Sequence, residues 1–256
     1  MMTLAFWMGA ATAAENRNLA FDPDAALAFS QAAIGRPVGV HKLLDRSAQP
    51  FGLRQLHGRP VVLSMIYTSC YHVCPMLTRH LADAVDIARE ALGDDAFAVV
   101  TIGFDTAADR PERMRMFAAQ NGIDAPDWFF LSGDQQSIDG LAADVGFTFF
   151  ASPKGFDHIS QTTVLDSDGR VYRQVYGQTF EMPALVEPLK ELVFESPVEA
   201  GLVETWLDNV RLFCTVYDPS SGRYRFDYSI FVGAFVGLMC LGAVATFILR
   251  AWKESV

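Results

Sequence analysis

Apolar positions change their spacing along the chain, and each change marks an element. Pro23 to Ala33 reads as a short helix that breaks at Gly35-Arg36-Pro37. Residues 38–57 read as strands and turns. The run RPVVLSMIY from Arg59 is apolar and β-branched, the composition of a central strand buried on both faces. It ends at Thr68-Ser69-Cys70. Pro75 then suits a first helical turn. Leu77, Leu81, Val85 and Ala88 recur at helical spacing, and Gly93 ends the pattern. Ala96 to Phe104 is a second buried strand. Pro111 to Asn121 is a helix closed by Gly122, Trp128 to Leu131 a short strand, and Ile138 to Val145 a short helix. Thr162–Leu165 and Val171–Tyr176 flank Asp166-Ser167-Asp168-Gly169, a hairpin with an Asp-Gly turn. Residues 181–212 are mostly helical, and no internal repeat is visible.

Strand–helix–strand–helix followed by a hairpin and a helix predicts an α/β sandwich around a mixed central sheet. A cysteine motif between the first central strand and its helix is the thioredoxin-like placement.

The two ends differ from the middle. Ser229 to Leu249 holds no charge and runs about 21 positions, enough to cross a bilayer core. A single C-terminal transmembrane helix is therefore expected. Arg223 and Arg225 precede it and Arg250 and Lys253 follow, so loop charge does not choose its orientation. Leu4 to Ala13 is a short apolar run ending in Ala11-Thr12-Ala13, like the apolar part and cleavage site of a secretory signal, without its basic start. The organisation expected is a signal remnant over 1–13, an extension over 14–34 and the α/β domain over 35–195. A linker over 196–228, the membrane helix over 229–249 and a tail over 250–256 follow. The domain is expected in the periplasm or an equivalent space.

The net charge is −10, and no Lys/Arg cluster stands out, which argues against nucleic acid as a partner. Four cysteines are too few for a disulfide scaffold. Cys214 and Cys240 stand apart. Cys70 and Cys74 form the one close pair, in Cys70-Tyr71-His72-Val73-Cys74-Pro75. Their i, i+4 spacing puts both sulfurs on one side of a helical turn. A helix N-terminus favours thiolates, which are both metal ligands and nucleophiles. Two soft sulfurs favour Cu(I), zinc or iron–sulfur over hard cations. A plain disulfide or two buried thiols fit the same spacing.

An oxidised copper needs a further ligand, and five histidines are present: His41, His57, His72, His80 and His158. His158 sits in a loop before the hairpin, and that loop can fold back over the cysteine helix; a solvated side chain fits it equally. His72 reads as a surface residue or auxiliary ligand, and His80 as a solvated residue on an exposed helix face. Met65 and Met76 flank the motif and read as core packing.

The blocks YTSCYHVCP, GFDTAADRPE, WFFLSGD and DHISQTTVLDSDGRV resemble the Sco/SenC family of copper proteins, over roughly residues 35–190. The resemblance implies a thioredoxin-like fold holding one Cu(I) or Cu(II) through Cys70, Cys74 and His158. It implies a role in maturing the CuA centre of cytochrome c oxidase subunit II, with a copper-donating chaperone upstream. The family's acidic positions fall on Asp105 and Asp109. The usual DP-x-x-DTP block departs here to Asp105-Thr106 and Asp109-Arg110-Pro111, and most members carry their anchor at the N-terminus. The rival expectation is a membrane-anchored thiol–disulfide oxidoreductase using the redox pair Cys70 and Cys74, which needs no distant imidazole.

Overall fold

The computed structural model describes residues 21–195, 215–218, 223–226 and 229–254. The expected signal over 1–13 and Cys214 lie outside them. Helix α1 (Pro23–Gln31) starts under Asp22, whose carboxylate accepts from the N–H groups of Asp24 and Ala25. Strands β1 (Leu43–Leu44) and β2 (Pro50–Phe51) lead through a 3-10 turn to β3 (Val61–Ile66). Then come α2 (Val73–Leu92), β4 (Ala98–Gly103), α3 (Pro111–Gln120), β5 (Trp128–Gly133) and α4 (Gln135–Asp144). A two-stranded hairpin, β6 (Phe149–Ser152) and β7 (Gly155–His158), precedes β8 (Gln161–Leu165), β9 (Val171–Tyr176) and α5 (Met182–Glu195).

Seven strands form one sheet in the order β2-β1-β5-β4-β3-β8-β9. β3, β4 and β5 run parallel, and β8, β9, β1 and β2 add antiparallel pairs. The expected sandwich around a mixed sheet is present. Every residue of β3 and β4 is buried, as their mainly apolar runs predict, and the two hydroxyls among them, Ser64 and Thr101, bond to each other. α2 buries Leu77, Leu81, Ala84, Val85 and Ala88 and packs on α5. Gly93, at φ 107°, closes it. α4 begins at Gln135, earlier than its apolar run, because the Asp134 carboxylate accepts from Ser137 N–H.

A buried polar network ties α1 to the sheet. Gln161 and Gln174 both donate to the carbonyl of Val145, at 3.0 and 2.9 Å. Thr163 Oγ1 donates to Gln174 Oε1 at 2.7 Å, and Ser30 shares a 2.8 Å bond with the Tyr176 hydroxyl. Gly146, at φ +69°, lies against this junction. A Cβ there would meet Ala33 Cβ, Ser30 Cα and the Phe29 carbonyl within 2.9 Å.

His80 corrects the reading of a solvated side chain. Its Nε2 lies 2.7 Å from the Phe180 carbonyl and 3.1 Å from the Phe180 N–H, and its ring meets the Phe180 ring edge-on at 4.6 Å. The histidine staples α2 to the turn before α5, a long-range contact that helical spacing cannot report.

At the C-terminal end, β10 (Thr215–Asp218) and β11 (Arg223–Phe226) form a hairpin that contacts α2. Helix α6 (Ser229–Glu254) covers the expected span 229–249. Among the described residues, however, no helix is long and apolar enough to cross a membrane. The transmembrane part of the expected fold is therefore a matter of sequence alone.

His80→Ala should lower stability by about 1 kcal/mol, the worth of one net hydrogen bond. The urea midpoint of the full chain in detergent measures this, and alkylation of Cys70 should stay unchanged.

Candidate metal centre

The motif begins where β3 stops. The backbone turns through Thr68 and Ser69, with Cys70 N–H donating to the Tyr67 carbonyl at 3.1 Å. α2 starts at Val73, so Cys70 lies just outside the helix and Cys74 in its first turn. His72 occupies the N-cap without a side-chain cap bond and is exposed. A sulfur replaces the missing cap: Cys74 N–H donates to Cys70 Sγ at 3.3 Å.

The two thiols are unlike. Cys70 is partly exposed, Cys74 is buried, and both are free of disulfide. The hydrogen bond from the Cys74 thiol lowers Cys70 to about 4, helped by the N–H groups of Cys74 and His72 and by the Tyr67 hydroxyl. The same hydrogen bond, with burial, pushes Cys74 up. The pair thus shares one proton, with Cys70 the thiolate and Cys74 the thiol. Burial and the bond to Cys70 raise Tyr67 to about 12, so its hydroxyl stays a donor.

Asp109 holds the turn that carries Cys70. Its Oδ1 accepts from Thr68 N–H at 2.8 Å and from Thr68 Oγ1 at 2.7 Å; its Oδ2 accepts from Asp105 N–H at 2.9 Å. Only 2 % of the residue is exposed, and burial raises its carboxyl despite these bonds. The end of β3 and the turn after β4 are joined through this one carboxylate.

His158 lies in a strand rather than in the expected loop. It ends β7, opposite Phe149 in the β6–β7 hairpin. The hairpin carries Phe149 and Phe156 into an aromatic cluster with Tyr67, Phe104 and Phe147. The imidazole meets Phe147, Phe104 and Tyr67 at ring distances of 5.3, 5.5 and 6.1 Å. Burial lowers its pKa. Nδ1 lies 2.9 Å from the Ile159 carbonyl, so the neutral ring carries its proton there and presents the lone pair at Nε2.

Cys70 and His158 line one cavity of about 180 Å³ with Tyr67, Val73 and Phe156. Cys74 lies buried beside Cys70. The three do not form a closed ligand set: among the described residues, no group of three His, Cys, Asp or Glu stands together to hold a metal ion. The donors nonetheless fit copper, since a thiolate, a second sulfur and a neutral imidazole are soft or borderline ligands. A metal held on both sulfurs would need Cys74 to lose its proton.

The other candidates go elsewhere. His41 pairs with Asp144 at 2.7 Å, and His57 lies beside Gly169. Met65 is buried as expected, but Met76 is 43 % exposed, because its place on α2 lies off the face that buries Leu77 and Leu81. Spacing did not single out Tyr67; its one signal was an aromatic residue at a strand end next to the motif.

Comparison with known proteins agrees with this architecture. A family model described as SCO1/SenC matches residues 31–193. The SCO1 protein homolog of Bacillus subtilis (strain 168) is 27% identical over 137 residues, 52% of this chain and 70% of that protein. The solved structure of a SCO1/SenC family lipoprotein from Bacillus anthracis str. Ames is 22% identical with a TM-score of 0.56, over 62% of this chain and 95% of that one. The structure of Bradyrhizobium japonicum ScoI with copper bound is 21% identical with a TM-score of 0.52, over 61% and 99%. The two structures share the fold.

A thiol lowered to about 4 is almost wholly thiolate from about pH 5 upward. In the reduced, metal-free chain, iodoacetamide should label Cys70 at a rate that stays level down to about pH 5. Cys74 should react only on unfolding. Asp109→Ala strands three donors and should cost about 3 kcal/mol in urea unfolding. Asp109→Asn should cost less, because an amide oxygen still accepts from Thr68.

Proposed function

The chain belongs to the SCO1/SenC family, and from that premise we propose that it carries one copper ion on Cys70, Cys74 and His158 and assists assembly of the CuA site of cytochrome c oxidase. The observation that carries this reading is the shared cavity of Cys70 and His158, with a thiolate on one wall and a neutral imidazole on the other. An imidazole kept neutral by burial, with Nδ1 occupied, suits a metal better than a proton.

Copper meets the partly exposed Cys70 first. Cys74 then gives its proton to solvent and binds, and Nε2 of His158 completes three-fold coordination. Release runs by exchange of these ligands for thiolates and imidazoles of the acceptor, subunit II. A copper-donating chaperone supplies the metal. Oxidation of Cys70 and Cys74 to a disulfide removes both sulfur ligands, so redox state gates the transfer.

The charge-free run Ser229–Leu249 is the proposed membrane anchor, with the α/β domain in the periplasm or an equivalent space. Phe231, Val232, Phe235 and Leu238 stand exposed on α6, as lipid contact requires.

One observation favours a second reading. A thiolate at Cys70 backed by a protonated, buried Cys74 is also the order of attacking and resolving thiols in disulfide exchange. The domain would then keep the oxidase copper-site cysteines reduced.

Titrating the reduced full chain in detergent with Cu(I) and Cu(II) separates the two. The carrier reading expects one copper per chain and a thiolate-to-Cu(II) absorption band that is lost in His158→Ala. No copper bound, with Cys70 and Cys74 still cycling between dithiol and disulfide, would sink it in favour of the oxidoreductase.

A further inference from the structure

Cys70 stands in the wall of two cavities. The first is the one it shares with His158. The second, about 260 Å³, opens between the start of α2 and α3 and is lined by Thr68, Tyr71, Pro75, Arg113 and Met116 as well as Cys70. Of the residues lining the two, Cys70 alone is common to both.

Met116 is only half covered. α3 buries Met114, Phe117 and Ala118, at helical spacing, and Met116 lies off that face with 50 % of its surface exposed. It brings a soft, unbranched thioether into the same cavity as the Cys70 sulfur. Arg113 adds a cation to the wall. A Cu(I) ion delivered between two thiolates is a monoanion, which that charge suits.

We infer that Cys70 Sγ and Met116 Sδ form a second Cu(I) station, in the cavity that His158 does not line, through which copper passes on its way to and from the three-ligand site. The inference rests on the copper-carrier reading. The ion stays Cu(I) throughout, and its bond to Cys70 persists. The bond to Met116 breaks as bonds to Cys74 and to His158 Nε2 form, and the Cys74 proton passes to water. Copper is never released between the stations, because the one residue common to both cavities holds it.

The test uses the reduced full chain in detergent, grown with selenomethionine. One equivalent of Cu(I) is added to Cys74→Ser with His158→Ala, and to the same chain carrying Met116→Leu as well, and selenium K-edge absorption is recorded. A selenium–copper contact is expected in the first and not in the second. With His158 intact, Met116→Leu should slow Cu(I) uptake from an anionic chelate about tenfold, the change that about 1.4 kcal/mol gives. A Cys74→Ser, His158→Ala chain that binds no Cu(I), or binds it without a selenium contact, overturns the inference. Uptake unchanged by Met116→Leu does the same. Each of these leaves the carrier reading standing if the parent chain binds copper. A parent chain that binds no Cu(I) overturns both.

Discussion

The site depends on one buried carboxylate. Asp109 takes three hydrogen bonds from Thr68 and Asp105, and through them the end of β3 and the turn after β4 become one rigid piece. Gly103 makes room for it, since a Cβ there would run into Asp109 and into Met114 Sδ. Burying an acid costs free energy, and the raised carboxyl of Asp109 records that cost. The return is position. The turn before Cys70 has no regular ladder of its own, and without an anchor its sulfur would have no fixed relation to the N–H groups of α2.

That relation makes the two cysteines chemically different although the motif looks symmetrical. Cys70 accepts the Cys74 N–H where a capping side chain is missing, and it keeps contact with a cavity. Cys74 points into the core and keeps its proton. A thiol one turn along a helix is therefore the donor that stabilises its partner as a thiolate. Neither property belongs to either cysteine alone.

The central strands, α2 with its Gly93 stop, and the Asp-Gly hairpin were all legible in the sequence, because each depends on local periodicity or on a turn residue with one conformational use. The β6–β7 hairpin was not. Its strands are four residues each, and the aromatic residues Phe149 and Phe156 pack on Tyr67 and Phe104 across the fold rather than alternating along a strand. The histidine was found by its block, but its setting in a strand was hidden. The same holds for His80, whose partner Phe180 is 100 positions away. Asp109 could be named from the resemblance, yet its work on Thr68 is a contact across 41 positions that no spacing rule reports.

Burial also decides the order of events in either chemistry. With Cys74 covered and Cys70 open to two cavities, any incoming group forms its first bond at Cys70. A disulfide arriving there needs Cys74 next, to resolve the mixed disulfide, and makes no demand on an imidazole. A metal arriving there needs further donors at once, because a single thiolate leaves it exposed to exchange. Of the side chains around Cys70, His158 is one a metal would use. His158 is neutral, aligned through Nδ1 and walled by Phe104, Phe147 and Tyr67. Disulfide exchange does not require such an imidazole. The proposed copper role therefore rests on the arrangement around His158 more than on the cysteine pair, which either chemistry can use.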